Sequence, residues 1–311
     1  MNKGINVNPL IILYNRLRIL NPFRKSIPLK TAKDTYQPFL IIGSGRSGTT
    51  LLRSMLNQSN EVEIPPESFV LPRILKRYKV YNKLPWNDFL KIILGEFSTH
   101  PQFQYWNLNL TNTFAELAGV PKSEQSLFKI IDTLYTSYTT FKNKPGAKWG
   151  DKTPLNTYHL TLIDKIVNKP KYINIIRDGR DVVASYLKAD LAENIDDACN
   201  RWRDAIIAVQ QFEKRNSNRV LSIRYEALVT NPENELRKVC DFLEVEFENN
   251  MLQNNRNSEA LGDSVYSHHE NLKKPIDTSS IGKWKSNLST DQMTKVDTLI
   301  STELKKLGYT D

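Results

Sequence analysis

The run Gly43-Ser44-Gly45-Arg46-Ser47-Gly48-Thr49-Thr50 is the first text in this 311-residue chain whose residue types and spacing could do chemistry. It follows the apolar stretch Phe39-Leu40-Ile41-Ile42 and precedes an amphipathic one carrying Leu51, Leu52, Met55 and Leu56. A glycine-rich turn from a buried strand into a helix gathers backbone N–H groups and the positive helix end around an anion. Both glycines of the pattern GxxxxGK[ST] are correctly spaced and Thr50 supplies the hydroxyl, but Thr49 stands where nucleotide triphosphatases carry lysine. A later apolar run, residues 171–176, ends in Arg177-Asp178, so a cation leads where a magnesium-holding carboxylate would be expected. The loop therefore reads as a nucleotide-phosphate cradle that works without that lysine and without a metal. Arg46, Lys152 and backbone donors suffice if the terminal group carries less charge than a phosphoryl group, as a sulfuryl group does.

Other candidates lie where strands are expected to end. Glu67, in Pro65-Pro66-Glu67-Ser68-Phe69, follows a short candidate strand at residues 62–64. Ser185 comes eight residues after Arg177, about two turns along a helix whose apolar side carries Val182, Val183, Tyr186 and Leu187. A guanidinium leaving a strand can fork onto a phosphate, and a hydroxyl two turns later can meet the same group. Tyr225 closes a further candidate strand at residues 220–225.

The run GSGRSGTTLLRSMLNQ resembles the 5′-phosphosulfate-binding loop of sulfotransferases that use 3′-phosphoadenosine 5′-phosphosulfate (PAPS), in the branch containing tyrosylprotein and several carbohydrate enzymes. A second element, IIRDGRDVVASYL, is similar to the segment whose arginine and serine hold the 3′-phosphate in that family, matching Arg177 and Ser185. The likeness continues through IRYEALVTNPENELRKVCDFL, where Tyr225 matches a tyrosine near the nucleotide, and IGKWKSNLS. The resemblance implies Glu67 as general base, with Arg46 and Lys152 as cations at the leaving oxygen. It implies a donor site drawn from Arg46, Ser47, Gly48, Thr49, Thr50, Arg177, Ser185, Tyr225 and Lys274. The chain departs from the cytosolic branch, whose Arg-Lys-Gly triplet is replaced by Asp277-Thr278-Ser279. Lys273 or Lys274 is the expected substitute, and Lys274-Pro275 resembles a Lys-Pro pair of the tyrosylprotein branch. The implied activity is sulfuryl transfer from PAPS to a hydroxyl or amine acceptor by in-line displacement; the alternative is a P-loop nucleotide kinase or triphosphatase.

Elements that could position these residues are spaced along the whole chain. Strands alternating with helices predict an α/β fold, a three-layer P-loop-type parallel sheet with helices on both faces. Residues 69–141 read as mostly helical, broken near Pro85, Pro101 and Pro121, an insertion after the second strand that should carry acceptor contacts. Residues 196–215 have helical spacing, Asn231-Pro232 reads as a helix start, and Ser289 with Gln292 forms a capping-box pattern for a last helix ending near Gly308. Residues 1–37 read as an N-terminal arm, and 38–311 as one catalytic domain.

Composition limits the partners. Lys and Arg outnumber Asp and Glu by 43 to 34, a formal +9, which favours an anionic partner without choosing one. No nucleic-acid recognition module accompanies the charge. Two cysteines, Cys199 and Cys240, both in expected helices, read as core thiols rather than a disulfide framework. His159, seven residues after Lys152, could share a helix face with it; the histidines imply no metal site. No stretch has the apolar length of a membrane span, and the start lacks a secretory core, so the expected location is cytoplasmic. The arm, with Arg16, Arg18, Arg24 and Lys25, is expected to dock on the body, peripheral contact with an anionic membrane being the alternative.

Overall fold

The computed structural model describes residues 25–253 and 277–309. Short apolar runs bounded by glycine and proline form the strands β1 (Phe39–Ile42), β2 (Val62–Glu63), β3 (Lys148–Lys152), β4 (Lys171–Ile176) and β5 (Val220–Arg224). They make one parallel sheet in the order β2-β3-β1-β4-β5. The chain starts at the centre, visits one side and then crosses to the other. Parallel α/β sheets bind ligands at such a reversal, beyond the carboxyl ends of the strands.

The helices around it are α1 (Thr49–Leu56), α2 (Leu71–Tyr81), α3 (Trp86–Ser98), α4 (Leu110–Ala118), α5 (Leu127–Phe141) and α6 (Leu160–Ile166). They continue with α7 (Gly179–Lys188), α8 (Ile195–Asn216), α9 (Tyr225–Thr230), α10 (Pro232–Leu243) and α11 (Thr290–Lys306). The period-two alternation of β1 sends Leu40 and Ile42 into a core with α2, α3, α5 and α6, and Phe39 and Ile41 into another with α1, α9 and α10. A third cluster joins α7, α8 and α11. The expected three-layer α/β fold is observed, and α2 to α5 are the helical insertion between β2 and β3.

Several local expectations need correction. β3 escaped the sequence reading because Lys148-Trp149-Gly150-Asp151-Lys152 is not an apolar run, yet all but Lys148 are buried. β2 is two residues long, ending before Pro65-Pro66. Tyr225 opens α9 rather than closing β5. Asn231 precedes Pro232 at the start of α10, but its side chain makes no capping bond. The Ser289–Gln292 capping box is formed in full. Cys199 and Cys240 are both buried free thiols.

Of the arm, residues 25–37 are described, and they lie on the body. Ile27 N–H donates to Asn82 O at 2.8 Å, and Lys30 Nζ donates to Asp164 O and Val167 O at the end of α6. Tyr36 Oη accepts the Trp149 N–H at 2.8 Å. Among the described residues no helix is long and apolar enough to cross a membrane.

Gly150 pairs in register with Phe39, and a Cβ there would lie 2.5–2.8 Å from the Phe39 ring. Gly150→Ala is expected to cost about 1–3 kcal/mol by overpacking. Gly95→Ala, inside α3 with no atom within 4 Å of the added carbon, should instead gain roughly 0.5–1 kcal/mol. Urea unfolding of both variants checks the pair.

Candidate active site

The loop at residues 43–50 leaves β1 and enters α1 through Gly48 at φ 96°, a left-handed position that suits glycine. No side chain caps α1 and no acid occupies its first turn, so its leading N–H groups keep their positive end for an anion. The loop is fixed from outside. Thr157 Oγ1 donates to Gly43 O and accepts from Gly43 N–H, both at 3.0 Å. Tyr186 packs where a Gly45 Cβ would lie 2.4 Å from its hydroxyl, and Tyr225 packs 2.3 Å from where a Gly48 Cβ would lie. These glycines are thus required by close packing as well as by anion access. Ser47 and Thr49 are buried within the loop.

Two groups of side chains flank it. On the β3 side, Lys152 is fully buried; its Nζ lies 2.5 Å from Glu67 Oε1 and donates to Thr50 Oγ1 at 3.1 Å. Its neighbour Asp151 accepts from Ser68 Oγ, Tyr135 Oη and Asn156 Nδ2 at 3.1, 2.6 and 2.7 Å. Burial pushes the Asp151 carboxyl above its ordinary range, against these hydrogen bonds and the Lys152 charge. Because Ser68 follows Glu67 and Asp151 precedes Lys152, this network holds both members of the pair. The Glu67 carboxylate thus faces the Lys152 ammonium directly.

On the β4 side, Arg177 NH1 donates to Arg46 O at 2.9 Å, and NH2 donates to Ser280 O at 2.7 Å. Its guanidinium lies 4.4 Å from the Tyr225 ring centre, while its own carbonyl accepts from Trp202 Nε1. Arg46, at φ 67°, donates from Nε to Ser185 Oγ at 3.1 Å. Desolvation, then the adjacent Arg177 charge, pull the Arg46 pKa down from its ordinary value. Two cations pressed together in a half-dry crevice make a place for an anion. The Arg177 Nε is buried without a hydrogen-bond partner among the described residues. An unmatched buried donor of this kind is costly unless a ligand takes it.

The structure thus divides the residues expected to act together. Glu67, Lys152 and Thr50 meet on one side, whereas Arg46 joins Arg177, Ser185 and Tyr225 on the other. Lys274 lies outside the described residues, as do Lys273, His268 and His269. His159 does not share a helix face with Lys152: Lys152 ends a strand, and His159 ends the 3-10 segment Pro154–His159. It lines a cavity of about 610 Å³ with Phe69, Arg73, Lys76, His100 and Leu155. The walls of this cavity include segments directly following Glu67 and Lys152 together with His100, and Phe69 stacks on His100 with centroids 5.7 Å apart. Sequence reasoning missed Asp151, Thr157, Tyr186 and Ser280. Asp151 and Tyr186 lay inside segments already singled out, and their polarity beside apolar runs was the available signal.

The model described as the sulfotransferase family matches residues 38–249. Protein-tyrosine sulfotransferase A of Caenorhabditis elegans is 24% identical over 282 residues, spanning 88% of this chain and 67% of that protein. Protein-tyrosine sulfotransferase 1 of Homo sapiens is 24% identical over 284 residues, spanning 88% and 70%. Among solved structures, the sulfotransferase domain from the curacin biosynthetic pathway superimposes with a TM-score of 0.60 at 23% identity, over 86% of this chain and 99% of that one. This last likeness is one of fold.

Anion binding at the loop is measurable with inorganic sulfate. A ligand at a hundred times its dissociation constant stabilises by about 2.7 kcal/mol. Wild type should therefore show a larger sulfate-dependent rise in Tm than Gly48→Ala, the general salting-out effect being common to both. Equal rises would remove the loop as the anion site.

Proposed function

Because the chain belongs to the sulfotransferase family, we propose that it is an enzyme that takes its sulfuryl group from PAPS and passes it to a hydroxyl-bearing acceptor. The single observation that carries the donor assignment is the convergence of the loop 43–50, Arg46, Ser185 and the part-unsatisfied Arg177 at one crevice. Bound there, PAPS would supply an activated sulfuryl group on a good leaving phosphate. The loop N–H groups with Ser47, Thr49 and Thr50 would hold the 5′ end, and Arg177 and Ser185 the 3′-phosphate, with Tyr225 beside the nucleotide and Lys274 added from the segment outside the described residues.

On the acceptor side, Glu67 is the general base. Its carboxylate is one-fifth exposed, and the segment that follows it lines the cavity from which an acceptor would approach. Lys152 bridges Glu67 and Thr50. That position suits an ammonium that steadies the resting carboxylate and then meets negative charge growing on the bridging oxygen. Arg46 is the second cation of the donor site, and in-line displacement follows from an acceptor on the Glu67 side and a leaving phosphate in the loop.

A triphosphatase reading finds little support. Asp178 pairs with Arg180 and caps α7, and both Asp151 oxygens already accept hydrogen bonds. The Caenorhabditis elegans and human relatives are named protein-tyrosine sulfotransferases, which favours a phenolic or other hydroxyl among acceptors to test.

The test is transfer of labelled sulfate from PAPS to a panel of phenolic, carbohydrate and peptide acceptors, with Arg46→Ala as control. Magnesium-dependent ATP turnover without sulfate transfer would overturn the proposal. Glu67→Gln should lower kcat about 10²- to 10⁴-fold, with donor affinity kept. Lys152→Ala should likewise lower kcat more than nucleotide affinity, and equal losses would argue against a transition-state role.

A further inference from the structure

Asp181 sits in the first turn of α7, four residues after Arg177, and is 2% exposed. A carboxylate there would be expected simply to complement the helix dipole. Instead it reaches across the chain. Its Oδ2 accepts the Gly282 N–H at 2.8 Å and its Oδ1 accepts the Trp284 N–H at 2.9 Å. Burial raises the Asp181 pKa, and the two N–H groups and the nearby Arg177 charge oppose that rise. Neighbouring groups strengthen the attachment: Arg180, paired with Asp178, lies 4.3 Å from the centre of the Trp284 ring.

The segment 277–284 held in this way is part of the candidate donor site. Its Ser280 carbonyl accepts from Arg177 NH2, and its Ser280 hydroxyl lies 2.6 Å from Tyr225 Oη. With Arg46 O on NH1, the Ser280 carbonyl fixes the plane of the Arg177 guanidinium. A fork that recognises phosphate works only when its plane is fixed. The point of use, Ser280, and the first attachment point, Gly282, are therefore two residues apart on one strap, and Gly282 itself turns the chain at φ 70°.

We propose that Asp181 is a positioning residue for the donor's 3′-phosphate: by holding the strap through two backbone N–H groups, it sets Ser280 and through it Arg177. This rests on the reading of Arg177 as a 3′-phosphate ligand. Electrostatics alone gives the opposite sign. Removing the Asp181 charge beside Arg177 would make the crevice more positive and tighten anion binding, whereas releasing the strap weakens it.

Asp181→Asn keeps the shape but presents an N–H donor to one of the two backbone donors. Calorimetric titration with adenosine 3′,5′-bisphosphate and with adenosine 5′-monophosphate separates the two ends of the nucleotide. Asp181→Asn should weaken the bisphosphate roughly ten- to a hundredfold and leave the monophosphate unchanged. Gly282→Ala adds a carbon with no atom within 4 Å but strains the turn. It should give the same pattern with a smaller loss, and it carries the test if the first variant does not fold. Unchanged or tighter bisphosphate binding, or equal loss of both ligands, overturns the proposal. A wild-type chain that binds the bisphosphate no better than the monophosphate overturns the Arg177 reading and this inference with it, a failure recognisable without any variant.

Discussion

Arg177 is the interaction on which the rest of the site depends. One residue at the end of β4 donates to the phosphate loop, donates to the C-terminal strap, lies against Tyr225 and gives its carbonyl to Trp202 of α8. A guanidinium can do this because it is planar, permanently charged and has five donors in fixed directions; an ammonium could not hold loop and strap in one geometry. Its backbone contact ties the charge to the third hydrophobic cluster, where Trp202 is fully buried. The cation is thus held by packing on its covalent side and left to meet an anion with its remaining donors.

The other half of the site follows a different rule. Lys152 has no exposed surface, and burying an ammonium is affordable only with close acceptors. Glu67 and Thr50 supply them, and Asp151 with its three donors keeps the strand end from shifting. In the proposed reaction, chemistry at the Glu67 side would draw on a charge that is already dehydrated, so little reorganisation would remain as negative charge develops. One side of the crevice accumulates positive charge; the other balances it.

How far this was legible in the sequence differs from element to element. The loop, β1 and β4 could be read because apolar runs met glycine or arginine at strand ends. The Ser289–Gln292 box could be read because its bonds are local. β3 was opaque: an inner strand of this sheet spends its residues on Asp151 and Lys152, which erases the apolar signature. The candidate residues could be proposed one by one, but the split between a Glu67–Lys152 side and an Arg46–Arg177 side could not, since Arg46 turns toward Ser185, 139 residues away in the chain. Asp181 carried no signal in the sequence, and its partners lie 101 and 103 residues further on. Local pattern carries no signal for contacts of that separation.

The two-residue strand β2 has a consequence for assembly. It offers a neighbouring chain hardly any ladder positions, and Pro65 and Pro66 immediately remove two more backbone donors. Sheet extension from that edge is thereby closed off, and copies of this molecule that meet on that side must do so through side-chain surfaces rather than by continuing the pleat.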